Sequence, residues 1–248
     1  MTRPDTLLTT IQRSDAARPR ITTYDDTDSP TRGERIELSA RVLSNWVAKA
    51  ANALQEEYDI EPGSRVLLAL PPHWRTAYWA LAVWSVGGCV VLDGEEQVDL
   101  YVSDDPALVD HFVHASGAGA AAILVTLAAL ARQADVTVSD GVMDEAAQLA
   151  TYPDQFEPWG EADDDDPALV VDRETVSFAD LTAWAADDET QPLDRGARAH
   201  LSTYDTALFL KVVLRAWSCD GSVVLSRGEP TAEVLAERLA AESVTHTL

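Results

Sequence analysis

The chain has 248 residues, 46% of them hydrophobic, with 42 acidic side chains against 18 basic ones and a formal net charge of −24. That length and apolar content exclude a disordered chain and allow a real core, in one large domain or two small ones. The charge excludes a nucleic-acid or anionic-lipid surface, because phosphates must be neutralised by Lys and Arg, and Lys49 and Lys211 are the only lysines.

No apolar run reaches the roughly 18 to 20 residues of a membrane helix. The opening MTRPDTLLTTIQRSDAARPR lacks the apolar stretch of a secretory signal. The two cysteines, Cys89 and Cys219, each lie beside a predicted strand. They do not form a disulfide framework and fit a reducing compartment, so the expected localisation is cytoplasmic.

In chain order, residues 1–19 are polar apart from Leu7, Leu8 and Ile11, a patch suited to a docking helix. Two strands are expected at 20–25 and 34–38, joined by an acidic turn with Asp28, Pro30 and Gly33. Ser39 is a plausible N-cap. Val42, Leu43, Trp46, Val47, Ala50, Ala51, Leu54 and Tyr58 then form one apolar stripe, which predicts an amphipathic helix over 40–57.

Residues 64–92 organise the rest: SRVLLALPPHWRTAYWALAVWSVGGCVVL. Arg65 to Leu70 suits a strand buried on both faces of a parallel sheet. Pro72 suits a first helical turn, where its missing N–H costs nothing. Trp74, Ala77, Tyr78, Leu81 and Ala82 recur at helical spacing, Gly87-Gly88 ends the helix, and Cys89 to Leu92 is a second strand. The unit has the length of a βαβ crossover.

A strand is expected at 98–102, then a helix opened by Asp105-Pro106, a strand at 120–126, and helices near 127–134 and 143–151. Residues 153–166 are rich in acids and proline and read as a loop or linker. Further on, strands are expected at 168–171, 174–178, 197–202 and 222–225, and helices at 179–187, 206–218 and 231–242. The expected division is 1–155, an acidic linker at 156–166, and an incomplete second α/β subdomain at 167–248. Trp84-Ser85, a glycine turn and Val-Val-Leu echo Trp217-Ser218, Gly221 and Val223-Val224-Leu225. This is either the common grammar of α/β sheets or a sign of two sheets of similar build.

Ala51 to Leu54 (Ala-Asn-Ala-Leu), the turn Pro62-Gly63-Ser64-Arg65-Val66, the buried strand ending in Pro71 and the helix ending in Gly87-Gly88 resemble the N-terminal segment of acyl-adenylate-forming (AMP-binding, acyl-CoA synthetase-like) enzymes. Residues 193–247 resemble the family's segment after its phosphate loop. The resemblance implies an α/β fold with mainly parallel sheets flanked by helices, like the first half of an adenylation domain.

It also implies a loop rich in Ser, Thr and Gly ending in Pro-Lys-Gly after the strand matched by residues 166–171. Such a loop presents backbone N–H groups and a lysine to ATP phosphates. Here the sequence is DDPALVVDRETVSFADLTAWA, with neither glycine nor lysine between Glu161 and Arg195. Asp172, Arg173 and Glu174 close the gap. The family's later adenine- and ribose-binding motifs and its small domain with a catalytic lysine have no counterpart. The expectation is therefore a degenerate, non-catalytic relative with no catalytic residues and no cofactor, acting as a binding or interaction module. A homodimer or an unknown protein partner is expected.

The alternative is a small-molecule binder or enzyme that keeps a pocket without adenylation. The resemblance places Tyr204-Asp205 at the acyl or amino-acid pocket, where an Asp can pair with a substrate ammonium. Asp205 also stands where a helix N-cap belongs. Asp110, His111 and His114 share a predicted helix and carry metal-ligand chemistry, but no third or fourth ligand is placed, so no metal site is expected. Asp163 to Asp166 lack the glycine of an EF-hand loop and read as solvated. Gly117-x-Gly119 is too short for a dinucleotide fingerprint.

Overall fold

The computed structural model describes residues 4–93, 97–117, 120–186 and 192–248. They form two sheets, each within its own compact unit. The first unit comprises Met1–Ser44, Pro71–Ala77 and Thr182–Leu248, and the second Asn45–Leu70 and Tyr78–Leu181. This division does not follow the expected split at 156–166. Strand pairing is the reason: the strand at 167–171 joins a sheet begun at residue 65, while the strand at 19–25 joins one completed near the C-terminus.

The first unit opens with α1 (Pro4–Ser14), whose Leu7, Leu8 and Ile11 are buried, as a docking helix requires. Strands β1 (Pro19–Asp25) and β2 (Arg35–Ser39) pair antiparallel. Helix α2 (Ala40–Tyr58) follows at once, with Ser39 Oγ accepting from the Val42 N–H at 3.3 Å.

In the second unit come β3 (Arg65–Ala69), α3 (Trp74–Ser85), β4 (Cys89–Val91), β5 (Leu100–Ser103) and α4 (Pro106–Ser116). The first turn of α3 groups with the first unit. Next are β6 (Ala122–Leu124), β7 (Val142–Asp144), the one-turn α5 (Glu145–Gln148), β8 (Pro167–Val171) and β9 (Glu174–Ser177), after which α6 (Leu181–Ala186) groups with the first unit from Thr182 on.

The first unit is then completed by β10 (Arg198–Ser202), α7 (Thr206–Ser218), β11 (Ser222–Arg227), α8 (Ala232–Ala241) and β12 (His246–Thr247). Its sheet has the order β12-β10-β11-β1-β2, and the second unit's sheet β7-β6-β5-β3-β4-β8-β9. All neighbours are parallel except β1–β2 and β8–β9. The fold is α/β with mainly parallel sheets flanked by helices.

The two sheets repeat one build. The run β3-β4-β8-β9 has the same order and directions as β10-β11-β1-β2. Helix α3 ends with Gly87 at φ +81° and a Gly88 N–H bond to the Val83 carbonyl at 2.9 Å. Helix α7 ends with Asp220 at φ +59° and a Gly221 N–H bond to the Ala216 carbonyl at 2.7 Å, the same left-handed cap. A Cβ on Gly221 would stand 2.5 Å from the Ala197 carbonyl oxygen, so no other residue fits there.

Each helix then ties itself to a strand of its own sheet through a tryptophan. The Trp84 indole donates to the Ala168 carbonyl at 2.7 Å and the Trp217 indole to the Arg20 carbonyl at 3.0 Å. Even the irregularity matches: both antiparallel pairings shift register two residues into the strand, between Pro19 and Ile21 and between Pro167 and Leu169. The echo in the sequence thus marks two sheets of similar build.

Two expected elements differ. Residues 127–134 form turns, with the Ala134 N–H held by the Asp144 carboxylate at 2.8 Å and Leu130 91% exposed. Residues 142–144 are a strand because Met143 aligns with Ile123 of β6. Three residues show no period, so this strand was invisible in the pattern. The end of the helix expected at 179–187, and Gly119, lie outside the described residues. The segment 150–159 is strapped to α2, for Lys49 donates to Ala150 and Tyr152 carbonyls, Asn52 to Pro153 and Gln155, and Gln55 to Glu157.

Candidate functional site

The turn between β8 and β9 is where the resemblance expects a phosphate loop. Val171 aligns with Glu174, leaving only Asp172 and Arg173 to reverse the chain. Their φ values are +53° and +65°, the pattern of a type I′ hairpin turn. The Asp172 N–H donates to Asp93 Oδ2 at 2.9 Å. A phosphate cradle needs several N–H groups converging on an anion. This turn directs one of its N–H groups at a carboxylate instead and carries Asp172 and Glu174 on either side of its single cation.

Tyr204 and Asp205 stand at the start of α7. Asp205 Oδ1 accepts from the Ala207 N–H at 2.8 Å and the Leu208 N–H at 3.1 Å. Asp105 does the same at the start of α4, at 2.8 and 3.3 Å. Both carboxylates are thus committed to orphan helix donors. Tyr204 is 74% exposed.

The other sequence candidates are not brought together. Asp110 Oδ1 accepts from Ser139 Oγ at 2.6 Å, and His114 Nδ1 lies 2.7 Å from its own Asp110 carbonyl. Asp163 and Asp166 close a reciprocal turn, with the Asp163 N–H on Asp166 Oδ2 at 2.7 Å and the Asp166 N–H on the Asp163 carbonyl. Among the described residues no group of three or more His, Cys, Asp or Glu side chains could hold a metal.

Sequence reasoning missed a polar layer on one face of the first unit's sheet. Glu242, just past α8, receives the Tyr24 hydroxyl at 2.6 Å and Arg35 at 2.7 Å, and pairs with Arg198. Burial alone would raise the Glu242 carboxyl, but hydrogen bonds from Tyr24, Arg198 and Arg35 bring it down to about 2. Arg238 sits 4.0 Å from the Tyr24 ring centroid and donates to Ser226 at 2.7 Å and to Asp26.

Ser226 lies 3.0 Å from His200 Nε2, a spacing suited to a nucleophile and its base. Both side chains are buried, and Arg238 occupies the serine oxygen, so the pair is a packed polar core. Burial, helped by the Arg238 charge, holds His200 below its ordinary pKa. Part of the signal for this layer was in the sequence: Arg198, His200 and Ser202 alternate with Ala199 and Leu201 in the strand expected at 197–202.

At the ends of β1 and β11, Arg227 bridges Asp25 at 2.5 Å. Burial works against ionisation of Asp25, but Thr27, Thr31 and Arg227 together hold it below its ordinary value. His73 is buried beside these groups, and burial, then Arg227 and Arg75, holds it well below its ordinary pKa and therefore neutral.

These features and the sheet order define a class. The coronafacic acid ligase of Pectobacterium brasiliense superposes with a TM-score of 0.70 at 12% identity, over 99% of this chain and 49% of that one. A Brucella canis acyl-CoA synthetase gives 0.70 at 16%, over 99% and 46%. A Mycobacterium tuberculosis fatty acyl CoA synthetase gives 0.67 at 14%, over 100% and 49%. The fold is that of adenylate-forming ligases, and the chain spans about half the length of these solved structures.

No protein-family profile matches the chain. A TIGR03089 family protein of Mycobacterium tuberculosis is 34% identical over 257 residues, covering all of both chains. The chain belongs to the TIGR03089 family. Among the described residues no helix is long and apolar enough to cross a membrane.

Proposed function

We propose that this chain is a non-catalytic member of the adenylate-forming fold that works as a binding or interaction module. One observation carries the reading: the chain passes from β8 to β9 through Asp172 and Arg173 alone, with one turn N–H committed to Asp93. A triphosphate there would meet carboxylates and find no lysine, since Lys49 is bonded to the Ala150 and Tyr152 carbonyls and Lys211 lies over the Trp184 ring.

The test is calorimetry with ATP and magnesium, together with pyrophosphate exchange in the presence of carboxylic acids. Heats no larger than dilution and no exchange are expected. Micromolar affinity, on the order of −8 kcal/mol, or any acid-dependent exchange overturns the reading. Association with a second copy or another protein belongs to the same reading, in line with the exposed Leu130 and Trp159. Light scattering at about 100 μM should show a mass above the monomer's, since stable interfaces persist well below that concentration.

A further inference from the structure

We propose that a cleft at the N-terminal edge of the seven-stranded sheet binds a small organic cation, an amine or guanidinium carried on an apolar body. In a crossover fold the helices run against the strands, so the strands' N-terminal edge collects helix C-termini. Their last carbonyls are unpaired and each helix contributes roughly half a negative charge there. Helices α2 and α4 end at Tyr58 and Ser116, beside a cleft of about 800 Å³.

Its walls include Glu57, Tyr58, Val113, Asp140, Met143 and Tyr152, and among the described residues no Lys, Arg or His lines it. Two carboxylates thus share the cleft with two helix ends, while the Lys49 amine is tied to the carbonyls of Ala150 and of the lining Tyr152. Tyr58 and Tyr152 add aromatic wall that a cation can use, and burial first, then neighbouring charges including Glu57, holds both phenols above their ordinary values. Val113 and Met143 supply apolar wall.

The size excludes a bare ion as the natural fit and lies within the range of small-molecule sites. A metal is disfavoured because no group of three ligating side chains gathers among the described residues. The cleft lies at the opposite edge of the sheet from the β8–β9 turn, and the proposal does not rest on the reading of that turn.

The test uses agmatine as the cationic probe and 1,5-pentanediol as the neutral one, at about 20 mM salt, where charges are only weakly screened. Agmatine should bind with a dissociation constant on the order of 0.1 mM by calorimetry and raise the melting temperature, while the diol does neither. The double variant Glu57→Gln, Asp140→Asn should weaken agmatine at least about tenfold, the size of losing charged hydrogen bonds. Both residues are exposed, and circular dichroism checks that the variant folds. The triple variant Asp163→Asn, Asp164→Asn, Asp165→Asn removes charge elsewhere and should leave affinity unchanged. Absence of binding overturns the proposal. So does equal binding of the diol, or an equal loss in both variants, which would mean diffuse attraction to an acidic surface.

Discussion

The hairpins β1–β2 and β8–β9 occupy the same place in the repeated build, yet they turn differently. In the first unit the chain needs residues 26–34 to pass from β1 to β2, and that loop folds around a buried carboxylate, with Thr27 and Thr31 bonded to Asp25. In the second unit Asp172 and Arg173 suffice. The sheets differ in the same sense. The first hides an ion-paired polar layer around Glu242 and Arg238, while β4, β5, β6 and nearly all of β8 in the second are buried apolar strands. One backbone plan therefore tolerates two side-chain solutions, because the plan is held by helix ends, glycine turns and tryptophan anchors rather than by the strand faces.

The largest effects should come from the anchors. Trp84→Ala and Trp217→Ala each remove a buried indole and its hydrogen bond, and each should cost roughly 3–5 kcal/mol in urea unfolding. If one variant is mild and the other severe, the two units share a topology but not a mechanism of stability. Next, Glu242→Gln removes the closest carboxylate from Arg198, leaving it Glu37 at 3.9 Å, while Arg35 keeps Glu37 at 2.8 Å, and the loss should cost about 3 kcal/mol. The loss should show as faster hydrogen exchange confined to the first unit's strands.

The pH response should separate the units further. His73 and His200 are depressed bases, so their contribution is whole above the ordinary 6.5 and declines as pH falls below it. Glu242, at about 2 against an ordinary 4.5, adds stability that is full above about pH 5 and lost on the way to pH 2, and the lowered Asp25 and Asp220 act in the same direction. All five groups belong to the first unit.

Tyr58, Tyr101 and Tyr152 are raised by burial, and so is Cys89, to about 11, four such acids in the second unit against Tyr24 and Cys219 in the first. These acids of the second unit contribute below their ordinary values and are lost as pH rises through the alkaline range. Acid should therefore open the first unit first, and alkali the second. Exchange in the reverse order would break the comparison. The smallest effect is at the turn: Asp172→Asn with Arg173→Gly suits a type I′ geometry and should stabilise by about 1 kcal/mol or less in thermal unfolding.

Much of this was legible from one chain. The stripe on α2, the crossover from Arg65 to Val91, the caps at Ser39, Asp105 and Asp205 and the missing glycine and lysine after Val171 are local patterns, and local patterns obey period and turn chemistry. Asp205 illustrates the limit. Its place before an apolar run allowed both a cap and a ligand contact, and only the 2.8 Å bond to the Ala207 N–H shows where its carboxylate goes.

What the sequence alone determined was the identity of most elements, 127–134 and β7 excepted, because helix and strand periods and glycine or proline punctuation act over a few neighbours. The tertiary structure decided which strands share a sheet, that 150–159 is strapped to α2 rather than free, and that Arg198, His200, Ser226 and Glu242 meet in one buried layer. Those outcomes depend on pairings between residues as far apart as Arg35 and Glu242, and no local pattern encodes the partner of a strand edge or a buried charge.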